Sequence, residues 1–273
     1  MELYTKTSYQ LARTLTLNYS TSFGKSSKLF SKDIRDHIYA IYGLVRVADE
    51  IVDTYKGNGM GQLLDELETH TLQALKTGFS PNPLVHAFAT TAQQYGIKKD
   101  LVRPFFKSMR MDLEFRDYTQ KEYETYIYGS AEVIGLMCLK VFCNEKQYNK
   151  LEDGARALGS AYQKVNFLRD IKADYEERGR IYFPGVEFES FNDQQKTNIL
   201  ADIKKDFKKA QTAIAKLPDN SKKAVALSFF YYRELLNTLE KATVSDIKQN
   251  RLSVSAPKKF TLLVKTQLKM GTV

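Results

Sequence analysis

The chain reads as an all-α protein, and three observations predict it. Its 273 residues include only 6 prolines and 14 glycines, so long stretches run without turn punctuation. Alanine, leucine, lysine, glutamate and tyrosine dominate those stretches. Polar residues in two separate places recur at spacings of three and four, the repeat of a helix face. A hydrophobic content of 43% suffices for one large domain or two small ones. No internal repeat or low-complexity linker divides the chain, which predicts one domain over 1–273.

The elements follow in order. Residues 5–19 read as a first helix, closed by a turn at Tyr19-Ser20-Thr21-Ser22-Phe23-Gly24. Hydroxyls there suit a helix end or a phosphate. Ser31 reads as the N-cap of a helix over 33–55. Along that helix Tyr42, Arg46, Asp49 and Asp53 share one face, amid Ile38, Ile41, Leu44, Val45, Ala48 and Val52. Charges on so apolar a helix must be paired or hold a metal. A buried Arg46–Asp49 pair accounts for two of them and leaves Asp53 unexplained. Lys56-Gly57-Asn58-Gly59-Met60-Gly61 reads as a flexible loop beside this row.

Helices are then expected at 61–77, 84–96, 98–117 and 123–142. The last carries small residues Gly129, Ser130, Ala131 and Gly135, which allow close helix approach or leave room for a bulky apolar ligand. A long helix at 146–176 follows. On it Gln163, Asn166, Asp170 and Asp174 leave one face, edged by Val165, Phe167, Leu168 and Ile171. Two carboxylates one turn apart, with an amide before them, form a hard-oxygen row suited to Mg²⁺. Magnesium takes few protein carboxylates and completes its shell with water and phosphate, so the row points to a metal–phosphate site. Lysine-rich helices at 192–216 and 219–243 precede a basic tail from 248 onward.

The net charge of +9, from 41 Lys+Arg against 32 Asp+Glu, suits anionic partners. No long basic run and no zinc-finger spacing occur, so nucleic acid is not expected. Cys138 and Cys143 sit five apart in an apolar stretch and read as core residues, in keeping with a reducing cytoplasm. His37, His70 and His86 are isolated in the sequence and read as packing or surface residues. No signal-type segment or run of about 18 apolar residues is present, so no spanning helix is expected. The expected location is cytoplasmic, with peripheral contact at the inner face of an anionic membrane. The oligomeric state stays open.

The stretch 158–184 now resembles a family signature: Leu158-Gly159, Gln163, Asn166, Arg169-Asp170, Asp174 and Arg180-Ile181-Tyr182-Phe183-Pro184. It is similar to that of the squalene/phytoene synthases, the head-to-head prenyl transferases. Tyr42, Arg46, Asp49 and Asp53 resemble the family's first aspartate motif, and Ser20-Thr21-Ser22-Phe23 its N-terminal Ser-Phe element. Tyr126 with 129–135 resembles the middle signature, departing from it at Ile127, Ser130 and Glu132. That departure bears on substrate chain length more than on catalysis.

The resemblance covers roughly residues 15–255 and implies a helical bundle of the isoprenoid synthase type with a central cavity. It implies Mg²⁺, or Mn²⁺, held by Asp49, Asp53, Asp170 and Asp174 with Asn166 assisting. Arg46, Arg169 and Arg251 would hold diphosphate. Ser20, Thr21, Ser22, Gln163, Tyr182 and Tyr232 would line the substrate site. Phe23, Tyr42 and Tyr126 would face carbocations or prenyl tails, and Ala131 and Gly135 would border the tail channel. Tyr42 and Arg46 join the aspartates as catalytic candidates. The implied reaction joins two prenyl diphosphates, farnesyl or geranylgeranyl, through a cyclopropyl diphosphate to phytoene or a squalene-type product. NADPH enters only if the product is squalene. The alternatives are another class I terpenoid synthase, disfavoured because position 50 is Glu and no DDxxD occurs, and a catalytically inactive scaffold relative, disfavoured because the whole ligand set is present.

Overall fold

A computed structural model describes residues 1–114 and 117–268, apart from the side chains of residues 21, 22, 178, 267 and 268. Among the described residues the regular structure is helical: α1 (Glu2–Tyr19), α2 (Thr21–Ser27), α3 (Lys32–Asp49), α4 (Met60–Thr77), α5 (Pro83–Tyr95), α6 (Lys99–Met111), α7 (Gln120–Ile127), α8 (Val133–Phe142), α9 (Glu145–Arg178), α10 (Asp193–Ile214), α11 (Asp219–Lys241), α12 (Val244–Gln249) and α13 (Ala256–Leu268). Two wide π turns interrupt the pattern. Glu50–Thr54 continues α3, and Tyr128–Glu132 joins α7 to α8. Such turns are uncommon and gather at functional sites.

The expected helices are present, with informative differences. The hydroxyl-rich stretch after α1 is not an open turn. The Ser20 side chain accepts from the Phe23 N–H at 3.1 Å and starts α2. Ser31 occupies the N-cap position of α3, but its side chain makes no capping bond. Helix α6 stops at Met111, short of the expected 117. A short helix α12 that was not expected leads into the basic tail, and the tail itself forms α13 from Ala256. Helix α9 reaches 34 residues because Asn144 caps its start and Gly179 closes it at φ 60°, a left-handed conformation that suits glycine.

Helix α9 packs against α8, α10, α11 and α12, while α3 packs against α1, α5 and α8. One hydrophobic cluster, from Phe30 to Ile247, runs through α3, α5, α8, α9, α10, α11 and α12. The continuous helical stretch Gln120–Phe142 meets the length and hydropathy of a membrane span, against expectation. More than half of its apolar window (56%) is buried among neighbouring helices, which makes it a core helix here.

The small residues of this stretch serve close approach first. A Cβ on Gly129 would meet the Pro104 carbonyl oxygen and Ser108 Oγ, each at 2.1 Å. A Cβ on Gly159 of α9 would meet the Ala131 carbonyl oxygen at 2.6 Å. Neither backbone contact yields cheaply. Gly129→Ala should therefore destabilise the protein by roughly 1–3 kcal/mol, read as a lower urea midpoint at unchanged slope. An unchanged midpoint would show that α6 and the π turn separate without cost.

Candidate active site

The helices enclose a cavity of about 870 Å³. That lies at the upper end for small-molecule sites. Helix α9 supplies one wall, and its cavity residues change character along its length. Leu151, Gly154, Ala155, Leu158 and Gly159 come first, then Tyr162, Gln163 and Asn166, then Asp170 and Asp174. From Leu151 to Asp174 is about 35 Å of helix. Helix α3 repeats the order, with Ile38, Ile41, Tyr42 and Val45 leading to Arg46, Asp49 and then Asp53 in the π turn. The cavity is thus apolar along most of its length and acidic where the two rows end.

Every predicted site residue with a described side chain lines this cavity. These are Ser20, Phe23, Tyr42, Arg46, Asp49, Asp53, Tyr126, Ala131, Gly135, Gln163, Asn166, Arg169, Asp170, Asp174, Tyr182, Tyr232 and Arg251. The side chains of Thr21 and Ser22 lie outside the described set. Gly129, expected on the same small-residue face as Ala131, is turned into α6 instead. Gly135 borders the cavity while sitting close to the backbone of α9. Cys138, read from sequence as plain core, also lines the cavity, and burial pushes its thiol up to about 12.

The acidic end has two unlike halves. Burial, then the neighbouring Asp53, raise Asp49 against the pull of Arg46, up to about 7. Arg46 is not chiefly the partner of Asp49, which lies 4.0 Å away. Its Nε donates to Glu50 at 2.9 Å, and its guanidinium lies 4.4 Å from the centre of the Tyr19 ring. Glu50 follows Arg46 at the same one-turn spacing as an ordinary helix pair and takes up its charge. In the other half, Asp170 accepts from Arg169 Nε at 2.9 Å and Arg251 Nε at 2.7 Å. Burial alone would raise Asp170, but the two guanidiniums outweigh it and hold the carboxyl below its usual range.

Aromatic rings border the cavity as well. Phe23 stacks on Tyr42 with centroids 5.3 Å apart, and Tyr232 stacks on Tyr162 at 3.9 Å. The Tyr232 hydroxyl donates to Asn166 Oδ1 at 3.4 Å. The hydroxyls of Tyr126 and Tyr182 both donate to Asp112, at 2.8 and 2.9 Å. Sequence reasoning missed Asp112, Tyr162, Glu50 and Tyr19. For Asp112 a signal existed: one acid just after the apolar positions Phe105, Phe106, Met109 and Met111.

The donor set suits a divalent cation. Among the described residues no three His, Cys, Asp or Glu side chains converge on one point. An ion here would take one or two carboxylates and complete its shell with other oxygens, as Mg²⁺ does. The raised Asp49 marks a carboxyl that burial, and then Asp53, make costly to ionise in that half.

A helical shell with a long apolar cavity and an acidic, arginine-bearing end defines a protein for molecules with an anionic head and an apolar tail. The chain belongs to the squalene/phytoene synthase family, whose sequence profile matches residues 16–258. Members of this family are prenyl transferases that join prenyl diphosphates head to head. The 4,4'-diapophytoene synthase of Staphylococcus haemolyticus is 26% identical over 186 residues, 67% of this chain and 65% of that protein. The phytoene synthase of Arthrospira platensis is 29% identical, over 96% of this chain and 93% of its own. Among solved structures, a dehydrosqualene synthase shares the fold at a TM-score of 0.83 and 22% identity, covering 96% of both chains. The squalene synthase HpnC from Alicyclobacillus acidocaldarius gives 0.76 at 19%, over 88% of this chain and 95% of its own.

The raised Asp49 has a consequence for stability. Between its ordinary 3.8 and about 7 the folded protein holds a proton that the unfolded chain has released. Raising the pH through that window therefore favours unfolding. In chelator, melting midpoints should fall from pH 4 to pH 7 by this contribution. Asp49→Asn should raise the metal-free Tm at pH 8 by about 5 °C. Equal midpoints for variant and wild type at pH 8 would contradict the cost of burying an ionised Asp49 beside Asp53.

Proposed function

We propose that this protein condenses two prenyl diphosphates head to head, in a Mg²⁺- or Mn²⁺-dependent reaction passing through a cyclopropyl diphosphate. The observation that carries the reading is the graded cavity, apolar over most of its length and acidic at one end. Divalent cations held by Asp49 and Asp53 on one side, and by Asp170 and Asp174 with Asn166 assisting on the other, would neutralise diphosphate and make it a better leaving group. Arg46, Arg169 and Arg251 stand at the same end and would take diphosphate oxygens. Ser20 and Gln163, beside them, would position the substrate. The apolar walls would exclude water from the cations that follow ionisation. The Phe23–Tyr42 stack and the ring of Tyr126 would face those cations. Ala131 and Gly135 would border the prenyl tail. A reductive route to squalene would add NADPH.

The test is incubation with farnesyl or geranylgeranyl diphosphate and Mg²⁺, followed by mass analysis of the lipid extract. A product with twice the substrate's carbon number is expected. Chelator should abolish it, and Ala at Asp49, Asp53, Asp170 or Asp174 should cut turnover at least about 100-fold in folded protein. Full turnover in chelator, or variants near wild type, would remove the aspartates from the mechanism. Absence of any condensed product would leave the scaffold alternative.

The same reading extends to a peripheral contact with an anionic membrane at the cytoplasmic face. The substrate tails and the product are apolar. Arg251 and Val254 line the cavity at the approach to α13, and Lys259 does so from within it. That helix exposes Phe260 (66%) between Lys258, Lys259 and Lys265. The protein should co-sediment with vesicles containing phosphatidylglycerol and release in high salt. Phe260→Asp should weaken the association. Binding indifferent to lipid charge and salt would overturn the contact.

A further inference from the structure

We propose that Asp112 is a positioning residue that fixes the rings of Tyr126 and Tyr182 as an aromatic wall near the acidic end of the cavity. The inference rests on the reading above, in which carbocations form in this cavity. Asp112 follows the last residue of α6, and its side chain is only 5% exposed. A carboxylate so buried needs compensation. Arg180, itself 1% exposed, gives it, with Nη1 donating to Asp112 Oδ1 at 2.8 Å. Arg180 Nη2 also donates to the backbone carbonyls of Asp112 at 3.0 Å and Glu114 at 2.6 Å, which ties the end of α6 to the segment after α9.

The carboxylate so held accepts two phenols, Tyr126 on Oδ2 and Tyr182 on Oδ1. Tyr182 lies flat on Phe167, centroids 4.1 Å apart and planes 7° from parallel. The Tyr126 ring follows at 5.0 Å from Tyr182. Asp112, Tyr126, Phe167 and Tyr182 all border the cavity. A simple pin between two segments would be complete with the Asp112–Arg180 pair. The two phenols go beyond that need. Donation to a carboxylate anchors each ring at its outer end and pushes electron density into it, which strengthens the attraction of its face for a cation. It also occupies both hydroxyl protons, so neither phenol is free to lead water to the reacting carbon.

The test compares Asp112→Asn, Tyr126→Phe and their double variant with wild type, in saturating Mg²⁺ and prenyl diphosphate. Each single variant should lower kcat about tenfold or more while KM stays within about threefold. Each should also release a larger share of ionised substrate as the prenyl alcohol, formed when water adds to the cation and loses a proton. The double variant should be no slower than the slower single one, because Asp112 acts through the ring. Multiplying losses, a change confined to KM, or activity that falls only with the folded fraction would each overturn the proposal. If Asp112→Asn strands Arg180 and fails to fold, Tyr126→Phe and Tyr182→Phe carry the same kcat and alcohol readouts with the ion pair intact. If wild type makes no condensed product, the functional reading fails by itself. The anchoring is then read by near-ultraviolet circular dichroism, clean here because the chain has no tryptophan. Asp112→Asn, or Asp112→Glu in its place, must weaken the tyrosine band, and an unchanged band overturns the anchoring.

Discussion

Carboxylates gathered at the end of an apolar cavity repel one another and resist burial, and much of this structure answers that constraint. The fold meets it differently on the two sides. Asp170 sits between two guanidiniums and stays ionised. Asp49 has no such clamp, because Arg46 is drawn away to Glu50, and its carboxyl retains a proton toward neutral pH. The asymmetry leaves one half of the site with a carboxyl that is costly to ionise. The other half carries positive groups already in place for an anion. Asp112 marks a third solution, a buried acid satisfied wholly by protein donors.

The cavity itself depends on how closely the helices approach around it. Glycines at 129, 154 and 159 bring backbones into contact with α6, α10 and the second π turn. Close approach there lets α8 and α9 stand side by side. Ala131 of the π turn, Gly135 of α8 and Ala155 of α9 then border the cavity. The two π turns fall on cavity walls, one carrying Asp53 and the other Ser130 and Ala131. A wider turn shifts the following residues around the helix axis, which lets α3 and α8 keep their core faces while redirecting the residues that meet the cavity.

Helix content, the two acidic rows and the long motif helix were legible in the sequence because each is local. A spacing of three or four residues fixes a helix face whatever surrounds it. The family signature in 158–184 is likewise carried on one helix and the segment after it. Ser20 was legible as a candidate but not in its local part, since capping α2 depends on where the chain turns. The Gly129–Ala131 face held both of its proposed uses at once, which periodicity cannot separate.

What the sequence determined by itself is therefore the all-α class and the composition of each helix face, both properties of neighbouring residues. The tertiary structure decided which partner each charge takes. Asp112 meets Tyr126, Arg180 and Tyr182 from 14, 68 and 70 residues away, and Arg251 reaches Asp170 across 81. No periodicity encodes such pairs, because they form only when helices distant in the chain close around the same cavity. Burial then sets how strongly each charge needs its partner. The chemistry of the acidic end is in this sense a property of the closed bundle rather than of either motif.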